Sequence, residues 1–418
     1  MRSNVLLFWT GQASALLASA IVGGLLARVL GRSGLGVYVV IQTAAAAAAV
    51  VLSFGLTHAL LYHVGGNKSR LERYIQAINS YGLTWAVFLN LAAAAAWVAG
   101  WTGGLTGGEL VATANIIAVQ HFGLFPLAIL MARENFVALS AATVISSLLH
   151  IALVGVAAAL RVLSVDTALL ALWGALAAKT LLMALPARLL RVPLRPELRP
   201  LTELLGVSIR AHAYTVLQLL SESSGVLLLR AFSSTAEVGL FSRAAWLVSL
   251  PLLAARGASN VLWSRVAALG SASGRQIACT RKMLATTAAL LVAACTAIAV
   301  VGRPVLVLIN GPAYAQAYPL ALMLLPGLVG AALWQVVMGY YAGKGYNLLT
   351  IGAAAVAVLL GVVLQACLSP RYASVGAAFS VSSAHVITGA VLLVAFLRET
   401  STGPVANAAA GGTRGGSE

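Results

Sequence analysis

The chain has 418 residues, 61% of them hydrophobic and 9% charged, with a formal net charge of +16. No soluble fold buries that much apolar surface, so a soluble domain is excluded and the chain reads as a polytopic membrane protein. The charge then reads as basic loops facing anionic lipid headgroups, and no nucleic-acid partner is expected.

A spanning helix needs about 20 mostly apolar residues. Twelve stretches qualify, with approximate limits 5–29, 36–61, 75–100, 110–131, 137–160, 167–185, 208–229, 238–256, 283–301, 320–341, 348–368 and 376–397. Arg2 before an apolar run resembles a signal peptide, but further spans follow at once, so the run is read as an uncleaved first helix. Between the first two spans lies the turn Ala27–Tyr38, with two arginines and three glycines. A weaker copy recurs at Leu229–Phe241, where Arg230 matches Arg28 and Gly239-Leu240-Phe241 matches Gly36-Val37-Tyr38. One such signature opening each half points to a duplicated bundle.

The linker 186–207 carries four prolines and several arginines, which stop the helix and hold the segment at the headgroups. It divides the chain into an N-terminal lobe (1–185), the linker, a C-terminal lobe (208–397) and a tail (398–418) expected to be disordered. With the N-terminus inside, 18 of the 26 Lys and Arg residues fall on cytoplasmic segments and seven outside, which supports two cytoplasmic ends. Lys179 lies within a span. Asp166 is the only aspartate and the nine glutamates are not clustered, so neither a metal nor a cofactor is expected. Cys279, Cys295 and Cys367 read as small buried hydrophobes without a disulfide.

Several motifs in order resemble one family: Asn4–Gln12, the Ala27–Tyr38 turn, the basic loop after Tyr62, Ala132–Phe136, Glu237–Ser242, Ile309–Tyr314 and Ser374–Phe379. Together they are similar to the Wzx-type oligosaccharide flippases of the multidrug/oligosaccharidyl-lipid/polysaccharide exporter superfamily. The resemblance implies an all-α membrane fold of two six-helix lobes around a central cavity. It also implies a function: moving an oligosaccharide on a polyprenyl-pyrophosphate carrier from the cytoplasmic to the outer leaflet of the bacterial inner membrane. A polysaccharide polymerase and glycosyltransferases are its possible partners, and a monomer is expected because the cavity would lie within one chain.

Ionisable groups inside a bilayer are costly and usually face a cavity or a partner. Lys179, in the sixth span, would attract a pyrophosphate as a point charge or else snorkel to the headgroups. Glu222, in the seventh, is the only carboxylate well inside a span; with Ser221, Ser223 and Ser224 beside it, it is expected to be desolvated and to exchange a proton during transport. His150 is a second proton-coupling candidate, and the alternative for it is an interhelical hydrogen bond. Arg243, Arg210, Arg28 and Arg230 are candidates for a cationic cavity, against headgroup anchoring or pairing. Trp334 is the candidate for stacking on a sugar ring. No Gly-x-x-x-x-Gly-Lys-Ser/Thr loop occurs, so an ion or proton gradient is the expected energy source. A polytopic sugar-chain polymerase or ligase, or a small-molecule exporter of the same superfamily, are the alternatives; short outer loops with one aspartate disfavour the former, and cationic residues the latter.

Overall fold

A computed structural model describes residues 2–63, 68–101, 103–189, 198–269, 273–344 and 348–401. Linker residues 190–197 and the tail from 402 onward lie outside the described residues.

The described chain is helical throughout. In order it forms α1 (Arg2–Leu52), α2 (Leu56–His63), α3 (Lys68–Val98), α4 (Gly107–Ala132), α5 (Phe136–Ala159), α6 (Val165–Ala187), α7 (Leu198–Phe232), α8 (Thr235–Ala268), α9 (Ser273–Asn310), α10 (Ala317–Gly343) and α11 (Leu348–Ser401). Among the described residues nine helices are long and apolar enough to cross a membrane. Two of them, Thr10–Leu52 and Thr350–Ser401, each contain one break, at Gly31 (φ 68°) and Ala373 (φ 47°), and so supply two crossings apiece. With α7 the number reaches the twelve read from the sequence.

The chain packs as two compact units, one running to Ser242 and including Val307–Ala313, the other Arg243–Leu306 with the residues from Tyr314 on. The sequence divides the chain by duplication at 186–207, whereas packing groups α7 and the start of α8 with the first unit.

In the first unit, Leu56 and Leu60 of α2, Ile75 and Ile78 of α3, Phe125 and Leu130 of α4, Leu139 of α5 and Met183 of α6 form one buried cluster. The second span does not run straight through it. The helix breaks at Phe54 (φ 45°) and Gly55 (φ 77°) between α1 and α2. Carbonyls freed by a break have no water to bond in a bilayer, so side chains must take them. His121 Nδ1 lies 3.2 Å from the Ala49 oxygen, the Tyr81 hydroxyl donates to the Leu52 oxygen, and Ser53 Oγ donates to the Val50 oxygen at 2.7 Å.

The two copies of the hairpin signature meet. A Cβ added to Gly36 would stand 1.8 Å from the Thr235 carbonyl oxygen, and one on Gly239 would stand 2.0 Å from the Arg32 carbonyl oxygen. Each glycine therefore lies on the backbone four residues before the other glycine, the reciprocal pattern of a two-fold contact. Only hydrogen at both Cα atoms lets the helices approach so closely.

The second unit uses the same device. Gly330 of α10 and Gly389 of α11 press together, a Cβ on Gly389 falling 2.3 Å from the Gly330 oxygen. One turn away, Gly327 N donates to Ser382 Oγ at 2.9 Å. Beyond the apolar ends of these helices Lys344 Nζ donates to Glu399 Oε1 at 2.9 Å and to the Tyr340 hydroxyl. Burial works against the Lys344 charge, but the bonds to Tyr340 and Glu399 outweigh it and raise its pKa. Burial likewise opposes the Glu399 charge, and the bonds from Lys344 and Tyr341 outweigh it and lower its pKa.

Two outcomes follow from this packing. Gly36→Ala and Gly239→Ala should each lower the melting temperature of the purified protein by the several degrees that overpacking of about 1–3 kcal/mol produces. The double variant should lose less than the sum, because one opened crossing accommodates both methyls; additive losses would show that the glycines do not share a crossing. For Lys344–Glu399, a raised lysine contributes stability below its unfolded pKa and loses it as pH rises through the folded value. A lowered glutamate contributes above its unfolded pKa and loses it as pH falls through the folded value. The pair's contribution is therefore flat between about pH 5 and 10 and declines on either side. Both side chains are over a third exposed (35% and 42%), which limits that contribution to about 0.2–1 kcal/mol. Glu399→Gln should cost that much at neutral pH and nothing once the pH is below about 3; a deficit that persists in acid would mean lost packing and not lost charge.

Candidate functional site

The residues singled out in the sequence divide between the two units. Arg28, His150, Lys179, Glu222 and Arg230 fall in the first, and Arg243 and Trp334 in the second. Arg210 belongs to α7, but its side chain lies outside the described residues.

Lys179 sits on α6 one turn beyond Ala175 and one turn before Met183, both buried, so it shares the helix's buried face. It is half-buried, and among the described residues no hydrogen bond or ion pair reaches it. α5 buries Ser140, Thr143, Ser146 and Ser147, of which Ser140 and Thr143 face Gly11 of α1. Ser146 Oγ donates to the Ala175 oxygen at 2.8 Å and fixes the level at which the two antiparallel helices meet. From that level Lys179 is one turn along α6 and His150 one turn along α5 in the opposite direction, a separation of about 12 Å along the axes. The structure therefore keeps these two candidates apart. His150 instead lies 3.5 Å from the Tyr38 hydroxyl of α1, Nε2 to oxygen, which is an interhelical contact.

Glu222 differs from the expectation of a desolvated carboxyl. Its side chain is exposed, while Ser221, Ser223 and Ser224 are buried. Each step along a helix turns 100°, so sequence neighbours do not share a face. Gln218, one turn back, donates Nε2 to Glu222 Oε1 at 3.1 Å, and Ser224 donates to the Ser221 oxygen.

Arg28 has a structural assignment. Its Nε donates to the Ile309 oxygen at 3.0 Å and its Nη2 to the Leu308 oxygen, both in the last turn of α9. Arg32, one turn on, donates to the Ala313 oxygen. A guanidinium at a helix C-terminus satisfies free carbonyls and complements the negative end of the helix dipole. The matching Arg230 is exposed in the last turn of α7. In the second unit Arg243 is buried, with its guanidinium carbon 5.8 Å from the centre of the Trp246 ring. Trp334 is 2% exposed, its ring 6.1 Å from that of His385, so the face proposed for a sugar is packed inside the helices.

Sequence reading passed over Asn79, whose amide nitrogen donates to the Leu189 oxygen at 3.0 Å while its Oδ1 is buried without a partner among the described residues. It also passed over the Thr106–Glu109 box that starts α4, although Thr-Gly-Gly-Glu carries the signal.

The structure aligns with the lipid II flippase MurJ in an inward closed conformation at a TM-score of 0.77 and 14% identity, over 93% of this chain and 87% of that one. It aligns with an inward-facing multidrug resistance MATE family transporter at 0.72 and 14% identity, over 94% and 98% of the two chains. A MOP-superfamily transporter from Pyrococcus furiosus, described as having a binding pocket of reverse polarity, aligns at 0.65 and 15% identity over 95% and 94%. At such identities the likeness is one of fold. No curated protein matches by sequence. A family model described as polysaccharide biosynthesis protein matches residues 25–319, and the chain belongs to that family.

The Arg28 geometry is open to a direct check. Arg28→Ala leaves two carbonyls at the end of α9 without their donor and should cost about 1–3 kcal/mol, read as a lower melting temperature and faster amide exchange at the end of α9. Arg230→Ala should stay within about 0.5 kcal/mol. Equal losses would show headgroup anchoring at both positions and not capping at one.

Proposed function

We propose that this protein is a flippase for a polyprenyl-pyrophosphate-linked oligosaccharide. The headgroup enters from the cytoplasmic side, crosses by alternating access and leaves at the outer leaflet, in a cytoplasmic membrane where both termini of the monomer face inward. The reading is supported by membership in a polysaccharide biosynthesis family and by a fold shared with a lipid flippase. The observation that carries it is Lys179, a lysine on the buried face of an apolar helix that no described residue pairs. A cation kept inside a membrane at a cost of a few kcal/mol needs an occupant of opposite charge, and a pyrophosphate supplies it. An ion or proton gradient drives the cycle. Glu222, exposed and bonded to Gln218, remains the carboxylate that takes up the coupling ion.

The test uses cells lacking the gene, complemented with variants, in which lipid-linked oligosaccharide is assayed for access from outside. Lys179→Met removes one charge-assisted contact of about 1.5–3 kcal/mol and should slow outward appearance at least tenfold at equal expression, with the intermediate building up inside. Lys179→Arg should retain most of the activity. Wild-type rates from Lys179→Met, or no inner accumulation in the deletion, would overturn the reading.

A further inference from the structure

On the other face of α6 from Lys179 the first unit carries a groove between α3, α4 and α6. It is a cavity of about 570 Å³. Along α6 its wall steps through Trp173, Ala177, Leu181 and Ala184, one stripe at three- and four-residue spacing, and it ends at Leu189. Facing residues come from α3 and α4 and are apolar apart from Asn79 and Asn115. A second cavity of about 390 Å³ shares Ala86 and continues the groove along α3 to Leu91.

Two features at the Leu189 end are polar. Asn79 lines the groove there, 6% exposed, with its Oδ1 unpartnered. Arg133, on the loop between α4 and α5, donates Nη1 to the Ala187 oxygen at 3.3 Å, between the lining residues Ala184 and Leu189. Burial, and then the nearby Arg188 guanidinium, holds the Arg133 pKa below its ordinary value, so two cations share this mouth. Glu134 on the same loop leaves the three groups with a net charge of +1.

We propose that this groove seats the polyprenyl chain of a phosphate-headed lipid, with the phosphate on Arg133 and Arg188. Paired guanidiniums fit phosphate oxygens, and the apolar wall fits hydrocarbon. Depth separates a prenyl chain from an acyl chain. From Trp173 to Ala184 the wall descends about 16 Å and Leu189 carries it a turn further, against about 15 Å for half of the hydrocarbon core, so it reaches past the midplane where an ordinary acyl chain ends. The prenyl identity rests on the flippase reading; the phosphate-and-hydrocarbon chemistry rests on the groove alone. A chain that stays seated past the midplane leaves the headgroup as the part to be moved.

The experiment is native mass spectrometry of the full chain in detergent, offered a long-chain polyprenyl phosphate and phosphatidylglycerol at equal concentration. The unmodified protein should retain the prenyl lipid several-fold better. Ala177→Phe fills the groove and should cut that retention about tenfold, the loss of about 1.4 kcal/mol, with no change in melting temperature. Ala86→Leu fills it from α3 and carries the same expectation should Ala177→Phe melt early. Arg133→Ala with Arg188→Ala should weaken both lipids, and Leu148→Phe, on the exposed side of α5 and outside both cavities, neither. Undiminished retention in folded Ala177→Phe and Ala86→Leu would overturn the proposal, as would equal retention of the two lipids. Outward transport in cells, measured in parallel, keeps the two readings apart. Transport intact with retention unaffected by the groove variants removes the groove alone. Groove-dependent retention in a protein that transports no such lipid removes the flippase reading alone.

Discussion

Two bare Cα atoms govern this structure. Where α1 and α8 cross, Gly36 lies against the Thr235 carbonyl and Gly239 against that of Arg32, at distances no side chain allows. In lipid, helices are not driven together by the hydrophobic effect, because the surrounding tails are as apolar as leucine. Close approach has to supply the attraction, through dispersion and weak polar contact between backbones. Reciprocity makes the crossing symmetric: one glycine per repeat, each meeting the turn before the other. A duplicated chain obtains such a contact by keeping one residue small in both copies.

The second constraint is the backbone itself. Each break inside the membrane exposes carbonyls, and each described break near the first unit's core comes with donors. His121 and Tyr81 reach the Ala49 and Leu52 carbonyls before Phe54 and Gly55, and Ser53 adds its hydroxyl to the Val50 carbonyl that its own N–H already bonds. Arg28 and Arg32 take those at the end of α9 and the turn after it. These polar residues look functional in a sequence because polarity in an apolar span is unusual. Their geometry shows a different use for several of them, since an unsatisfied carbonyl in hydrocarbon costs several kcal/mol. Placing His121 and Arg28 in this class narrows the search for a transport site to the polar residues that no backbone occupies, Lys179 first among them.

Length and apolarity made the twelve spans legible, because a bilayer imposes one length on every crossing. The break at Gly31 was legible too, announced by three glycines and two arginines in one turn. The break at Phe54-Gly55 was not, since Ser-Phe-Gly continues an apolar run and only φ reveals it. Arg28 was opaque for another reason: its acceptors are 280 and 281 residues away, and nothing local names them. The serines beside Glu222 are its neighbours in sequence but not on the helix surface, so they build no pocket around its carboxylate. Trp334 was read as a platform from its central position in a span, where burial against α11 is the commoner outcome for so large a ring. Asn79 gave no signal, because an asparagine three turns into a long helix is ordinary until its partner is found to be the Leu189 carbonyl across the unit.

α6 shows how one helix serves both halves of an amphipathic cargo. Its buried face carries Lys179, and its groove face carries Ala177, Leu181 and Ala184. Thr180 also lines the groove, and its hydroxyl donates to the Val119 carbonyl of α4. Ala177 and Leu181 each stand two residues from Lys179, about 160° around the helix. On the proposed readings, the prenyl chain lies in the groove with its phosphate at Arg133 and Arg188, and Lys179 meets the headgroup once it moves off that mouth. The helix need not move to hold either. Moving the headgroup then requires work only on the polar face, while the apolar face keeps the carrier in register. A lipid-linked substrate demands that separation, and a lone hydrophilic solute has no use for the second face.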